Sequence, residues 1–189
     1  MPSDYLLGIW SLCLLLPGVF SAQSPLKPGT LTTEDGLGFR RVTAVAQDSR
    51  GLLWFGTSQG LEQYDGTTFL RFGNSKQADF PFAGSNITDE SLVALNDSTF
   101  WLLADDKLYA FNPRTFAYRD ISATTGINGT FCTLRRGADG KIWTVVDDNR
   151  QQYLLCWDTA GRLHRVATSE HRRKAFTAIA PDTAGNVWW

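Results

Sequence analysis

The stretch Val42–Phe72, with the sequence VTAVAQDSRGLLWFGTSQGLEQYDGTTFLRF, decides the fold of this chain. Short runs of alternating apolar and polar residues are separated by turn sequences rich in Gly, Asp and Ser. This pattern is typical of short β-strands joined by tight hairpins. We predict four strands in this stretch, over residues 42–47, 52–56, 60–64 and 68–72.

The same unit recurs along the chain around a central tryptophan. Trp54, Trp101, Trp143 and Trp188 are separated by 47, 42 and 45 residues. A period of roughly 40–50 residues with four strands per repeat is typical of a β-propeller blade. The sequence therefore predicts an all-β fold of β-propeller blades, each of four antiparallel strands, in an incomplete ring of three blades plus the start of a fourth. The predicted blades are residues 42–72, 87–118, 131–166 and 176–189.

The residues of the repeat resemble a known family. Asp48 to Asp65 follow the pattern Asp-x-x-Gly-x-Leu-Trp-Phe-Gly-Thr-x-x-Gly-Leu-x-x-Tyr-Asp, which resembles the two-component regulator propeller repeat. The lead-in Leu31–Leu37 resembles the segment before the first blade of that family. The resemblance implies the periplasmic sensor region of a Bacteroidetes-type hybrid two-component histidine kinase. It also implies that further blades, a membrane span and the kinase lie beyond Trp189, so that this chain is an N-terminal fragment.

The start of the chain predicts export. Leu6–Leu16 is an uncharged, mainly apolar run of signal-peptide length, so residues 1–22 are predicted to be a cleaved signal peptide and residues 23–41 a lead-in segment. The net charge is −1 and no run of Lys and Arg is longer than Arg172–Lys174, which argues against a nucleic-acid partner. The resemblance places the protein on the periplasmic side of the inner membrane. It also implies a periplasmic small molecule or oligosaccharide as the ligand, and a homodimer of the full-length protein.

Two sets of repeated residues have a structural interpretation. The tryptophans are predicted to pack between neighbouring sheets, because a Trp recurring at one place in every blade fills the space between blades. The aspartates and glycines before them are predicted to form capped turns, with the Asp side chain bonded to the backbone and the Gly at positive φ. The residues of these two sets are Asp48, Gly51, Trp54, Trp101, Gly140, Trp143, Asp182, Gly185 and Trp188.

The turns of an up-and-down blade lie at two ends. The turns joining strands one to two and three to four share one end, and the turns joining strands two to three share the other end with the long loops between blades. Loops on a rigid scaffold concentrate ligand-binding residues, so we place any ligand site at the second end. The candidates there are Phe80, Phe82, Asp105, Asp106, Asp147, Asp148 and Arg172. Each has an alternative: the Asp pairs as solvated turns, the Phe residues as packing, Arg172 as part of a solvated basic loop.

The remaining chemistry-bearing residues are few. The chain has two histidines and no zinc-ligand spacing, and it has no phosphate-binding or nucleophile-elbow motif, so we predict no metal, no cofactor and no catalytic residue. Cys132 and Cys156 fall on the first and third strands of one blade, too far apart for a disulfide, and are predicted to be buried free thiols. Two other functions stay open, a secreted propeller enzyme acting on polysaccharide and a non-catalytic interaction scaffold.

Overall fold

The structure of the chain is a computed structural model. It describes residues 29–72, 82, 84–170, 178–184 and 186–188. The chain divides into two compact units, Met1–Thr30 and Leu31–Trp189, and the following account concerns the second. The predicted signal peptide therefore lies outside the described residues.

Three four-stranded antiparallel sheets follow one another along the second unit, with a two-stranded sheet after them. In each four-stranded sheet every strand pairs with the next one in sequence, so each sheet is a meander. The strands of the first sheet are β1 Val42–Gln47, β2 Leu53–Thr57, β3 Gly60–Tyr64 and β4 Phe69–Arg71. Those of the second are β5 Ile87–Asn96, β6 Thr99–Ala104, β7 Lys107–Phe111 and β8 Tyr118–Asp120. Those of the third are β9 Thr130–Arg136, β10 Ile142–Asp147, β11 Gln151–Trp157 and β12 Leu163–Glu170, and β13 Ala180–Pro181 and β14 Val187–Trp188 follow.

The predicted all-β propeller fold is confirmed. Within the described ranges, the sole helical segment is a short 3₁₀ turn at Ser122–Thr125. We call the three four-stranded sheets blades 1, 2 and 3. Cores of apolar side chains lie between consecutive blades, and Trp54, Trp101 and Trp143 are all buried in them. By contrast, the side chain of Trp188 is 67% exposed.

Trp54 shows how one aromatic residue joins two blades. Its ring stacks on Phe72 of blade 1, with centroids 5.5 Å apart, and meets Phe100 and Phe111 of blade 2 edge to face at 5.9 and 5.3 Å. Offset and edge-to-face ring pairs contribute about 0.5–1.5 kcal/mol each beyond the burial of apolar area. The tryptophan therefore binds neighbouring blades together as well as filling the core.

The spacing of 47 residues between Trp54 and Trp101 predicts that Phe116 is the equivalent of Phe69, but the last strand of blade 2 differs from this prediction. Phe111 pairs with Tyr118, as Tyr64 pairs with Phe69, so Tyr118 is the true equivalent of Phe69. Phe116 instead lies in the preceding loop at a φ of 61°. The loop is two residues longer than its blade 1 counterpart, and this allows the Phe116 ring to approach Trp54, with centroids 6.4 Å apart.

The first strands of the blades form the inner edge of the array. β1 packs beside β5, and β5 packs beside β9. Each of these strands is interrupted by a bulge near its beginning. Thr43 has no partner position on β2, Cys132 has none on β10, and the pairing of β5 with β6 jumps from Ile87 to Leu92. The repeated bulges turn extra side chains out of the sheets on the inner edge.

Candidate functional site

The three bulges border one cleft of about 390 Å³, which we call the bulge cleft. Bulges leave one or more residues outside the hydrogen-bonded ladder, and they recur beside functional sites because they redirect side chains. Arg41 and Ser58 enter the cleft from blade 1. The residues that line it are Arg41, Thr43, Ser58, Asn86, Ile87, Thr88, Asp89 and Cys132.

Hydroxyl, amide and charged groups dominate this lining. The guanidinium of Arg41 donates two hydrogen bonds to the Asp89 carboxylate, at 3.2 and 2.9 Å, and so links blade 1 to blade 2. Both side chains are more than 60% exposed, at 74% and 63%, so the pair is solvated and contributes little stability. An ion pair this exposed can be broken and remade around a ligand at small cost.

The β5 bulge also reaches blade 3. Glu90 has a φ of 53°, which L-residues rarely adopt outside turns. Its carboxylate forms an ion pair with Arg135 on β9, and the same guanidinium donates to the Glu90 carbonyl at 3.0 Å. The strained bulge thus sends one acidic side chain to each neighbouring blade. Sequence analysis missed these residues, although Thr88-Asp-Glu-Ser91 interrupts the alternation of a strand and could have indicated the bulge.

Asp105 and Asp106 lie at the end where the sequence placed them. Both have positive φ, 47° and 65°, which makes the β6–β7 connection a type I′ turn. The Asp105 carboxylate accepts the backbone N–H of Asn86 at 2.9 Å, so it holds the strand entry beside the cleft. The carbonyl of Asp106 accepts the N–H of Phe131 at 2.9 Å and joins blade 2 to blade 3. The Asp106 carboxylate has no hydrogen-bond partner among the described residues.

Asp147 and Asp148 cap the corresponding turn of blade 3. Asp147 accepts the N–H of Asn149 at 2.8 Å. Asp148 accepts the N–H groups of Arg150 and Gln151 at 2.9 and 2.8 Å. The backbone hydrogen bonds lower the pKa of Asp148 below its ordinary value. These side chains organise the turn itself.

Cys132 lies near both aspartate turns. Burial raises the pKa of its thiol, and the carboxylates of Asp147 and Asp106 raise it further. Cys132 and Cys156 are both free, as predicted, but only Cys156 is buried and Cys132 is exposed. The prediction of two buried thiols was therefore wrong for Cys132, because the bulge turns this side chain out of the sheet and into the cleft.

The aromatic candidates divide between the core and the undescribed residues. Phe82 is 1% exposed and packs edge to face on Tyr109 and Phe111, at 5.2 and 5.8 Å, so its ring belongs to the core and is not available to a ligand. Phe80 and Arg172 lie outside the described residues, as does Gly185.

At the opposite end, Asp48 holds the turn of blade 1. Its Oδ1 accepts the N–H groups of Arg50 and Leu52, and its Oδ2 accepts the Arg50 guanidinium at 2.7 Å and the indole N–H of Trp54 at 3.2 Å. Burial disfavours the charged carboxylate, but these hydrogen bonds outweigh burial and keep the pKa of Asp48 below its ordinary value. Gly51 has a φ of 85°, as the turn requires.

The equivalent turns differ in a way the sequence analysis missed. Gly137, six residues before Trp143, occupies the position that Asp48 has before Trp54, and Asp139 bonds Lys141 instead. The buried indole N–H of Trp143 consequently has no hydrogen-bond partner in the described part of the chain. Asp182 restores the arrangement, since it accepts the N–H groups of Ala184 and Asn186.

Two further structural findings bear on function. No group of three or more potential metal ligands comes together within the described residues. None of the helices in that part of the chain has the length and apolar character needed to cross a bilayer.

Comparison with known proteins connects the repeat to a family. Residues 36–59 match the model of the two component regulator propeller. None of the curated protein sequences matches this chain.

Several solved structures share the fold. One is the extracellular domain of a B. thetaiotaomicron protein described as a hybrid two component system. It has 18% identity and a TM-score of 0.53, and the match covers 77% of this chain and 18% of that chain. PorZ, a surface component of the type-IX secretion system of Porphyromonas gingivalis, has 13% identity and a TM-score of 0.53 over 78% of this chain and 23% of PorZ. Streptogramin B lyase has 11% identity and a TM-score of 0.50 over 78% of this chain and 47% of the lyase.

The chain thus spans less than half the length of each of these structures, and at such identities the likeness establishes the fold alone. Residues 36–59 are a two component regulator propeller repeat, and the chain that carries them has the β-propeller fold.

Proposed function

We propose that this chain is the extracytoplasmic ligand-sensing propeller region of a two-component sensor histidine kinase, without catalytic residues of its own. The match of residues 36–59 to the two component regulator propeller supports this function. The bulge cleft is the proposed ligand site, and the observation that carries the proposal is the convergence of three bulges, one from each blade, on that cleft.

The chemistry of the cleft favours a polyhydroxylated ligand. Ser58 and Thr88 supply hydroxyl groups, Asn86 supplies an amide, and the Arg41–Asp89 pair supplies charged donors and acceptors. Oligosaccharides offer the matching alternation of donors and acceptors. A ligand that inserted between Arg41 and Asp89 would change the contact between blades 1 and 2. Such a change would bias the arrangement of a transmembrane kinase joined to the propeller.

The test is calorimetry of the protein, expressed from its native gene, against a panel of oligosaccharides. At least one should bind, and Asp89→Asn should weaken that binding by about tenfold or more through loss of one charge-assisted contact. Arg114→Gln is the matched control, because Arg114 is exposed at the opposite end, where it bonds Ser49. Absence of binding to the whole panel would count against the proposal. Release of cleaved sugar would instead favour a polysaccharide-acting enzyme.

A further inference from the structure

A second cavity, of about 280 Å³, lies between blades 2 and 3 at the end opposite the bulge cleft. Asn96 and Gly140 border it from two first-to-second strand turns. Among the residues that line it are Leu95, Trp101, Arg136, Ile142, Trp157 and Asp158. We call it the inter-blade cavity.

The chain carries its own comparison for this place, because the same position between blades 1 and 2 is filled. There Asp48 bonds the indole N–H of Trp54, and the Phe116 ring packs on Trp54. Arg50 also crosses from the turn of blade 1 to the carbonyl of Pro113 in blade 2, at 3.0 Å. Carboxylate, guanidinium and aromatic ring together close that interface.

Between blades 2 and 3 the equivalents of all three groups differ, and Asp97 stands four residues before Trp101, where Arg50 stands before Trp54. Leu95, six residues before Trp101, stands where Asp48 stands before Trp54, and within the described ranges no carboxylate bonds the Trp101 indole. The third-to-fourth strand turn of blade 3 runs from Asp158 to Arg162 and has no residue equivalent to Phe116. The cavity therefore corresponds to a carboxylate at the indole and an aromatic ring that the described residues do not supply.

The cavity does contain side chains that could bind a carboxylate and an aromatic ring. Trp101 and Trp157 are 8% and 5% exposed and lie edge to face, with centroids 5.0 Å apart. Neither indole N–H has an acceptor among the described residues. Because the N–H of Trp54 meets Asp48, and Leu95 stands at the equivalent position before Trp101, we infer that the N–H of Trp101 faces Leu95 and the cavity. Arg136 uses Nη1 on the carbonyl of Ala94 at 2.7 Å, and its other donors bond nothing in that part of the chain.

Asp158 is the one acidic side chain in the lining, and its charge is already neutralised. Its Oδ1 accepts the N–H groups of Ala160 and Arg162, and its Oδ2 accepts the Arg162 guanidinium at 3.0 Å and lies 3.0 Å from Nε2 of His164. The cavity thus presents a guanidinium of which one nitrogen bonds Ala94, together with indole donors and apolar walls.

We propose that the inter-blade cavity binds a small carboxylate that carries an apolar ring, with the carboxylate between the Trp101 indole N–H and the Arg136 guanidinium and the ring in the space that Phe116 fills one interface earlier. A guanidinium and an N–H donor form a charge-assisted site for a carboxylate, and the edge-to-face tryptophans provide an apolar wall for a ring. This site is independent of the bulge cleft and of the sensor function proposed above.

The test uses the protein expressed from its native gene, labelled with 5-fluorotryptophan, with the Trp101 signal assigned by Trp101→Phe. Phenylacetate is the probe, and phenylacetamide is its neutral counterpart. Phenylacetate should shift the Trp101 fluorine resonance saturably, with a Kd below about 1 mM, and phenylacetamide should bind at least about tenfold more weakly.

Three variants sharpen the result. Arg136→Gln should weaken phenylacetate binding about tenfold or more, and Leu95→Asp should abolish it by placing an internal carboxylate on Trp101. Arg119→Gln, which removes an exposed arginine of β8, should leave binding unchanged. No saturable shift up to about 10 mM phenylacetate would overturn the proposal. Equal binding of phenylacetamide, or unchanged binding by Arg136→Gln, would overturn it as well.

Discussion

Removal of the Asp48 carboxylate should destabilise blades 1 and 2 locally and strongly. The side chain of Asp48 is 2% exposed, and its two oxygens serve two backbone N–H groups, the guanidinium of Arg50 and the indole of Trp54. Asp48→Ala leaves the buried indole N–H without an acceptor, which costs about 1–3 kcal/mol, and also removes charge-assisted bonds. We expect a loss of about 3 kcal/mol in the free energy of local opening.

Hydrogen exchange followed by mass spectrometry measures this quantity at the right place. Peptides covering β1 and β2 should exchange about 100-fold faster in Asp48→Ala than in the parent, since each 1.4 kcal/mol is a factor of ten. Asp48→Asn, which keeps a neutral acceptor for the turn, should fall between the two proteins.

Asp139→Ala is the matched control. Asp139 caps the same kind of turn, with Gly140 at a φ of 81°, but it bonds Lys141 and not Trp143. A surface pair of this kind contributes up to about 1 kcal/mol, so exchange in β9 and β10 should rise by no more than about fivefold. If Asp48→Ala also stayed within fivefold, or if both variants behaved alike, the bond from the Trp54 indole to Asp48 would not be a source of local stability.

Other predictions concern turns, pH and thiols. Asp106→Gly should raise the free energy of unfolding by about 1 kcal/mol, since glycine relieves the positive φ of a type I′ turn; urea denaturation measures it, and a loss of stability would contradict it. The pKa values of Asp48 and Asp148 are lowered in the folded protein, so both carboxylates stabilise it above the ordinary pKa of 3.8 and lose this effect as the pH falls through the folded pKa. The melting temperature should therefore be constant from pH 7 to about 5 and should fall steeply below about pH 4. A maleimide should label Cys132 in the native protein and spare Cys156, whose burial raises the pKa of its thiol to about 11; equal labelling of both would disprove the assigned burial.

The sequence predicted the blades because their signals are local. Alternating residues, the turn glycine Gly51 and the recurring Trp54 position each depend on a few neighbours in the chain. The exposure of Cys132 escaped prediction because a bulge reverses which side of the strand a residue faces, and bulges leave a weak sequence signal. The position of Phe116 was missed because the loop before β8 is two residues longer, which an alignment of aromatic residues hides.

The candidate site could be predicted only in outline. The sequence located the end of the blades where Asp105, Asp106, Asp147 and Asp148 lie. It did not find Arg41 and Asp89, because their contact joins residues 48 positions apart on different blades. Contacts of this kind depend on how neighbouring sheets pack, and no periodicity within one blade records them.

The inter-blade cavity between blades 2 and 3 has a consequence for the order in which the blades unfold. In stacked repeats each interface between neighbours contributes its own free energy, and local unfolding begins at the least stable interface. At the end that carries the first-to-second strand turns, Arg50 and Arg114 both bond blade 1 to blade 2. Blades 2 and 3 are joined there by the hydrogen bond of Arg136 to the carbonyl of Ala94, beside the inter-blade cavity. Blades 1 and 2 should therefore behave as one folding unit, and the interface between blades 2 and 3, where Trp101 lies, should open first. A molecule bound in the inter-blade cavity would stabilise the interface between blades 2 and 3 and would make all three blades unfold together.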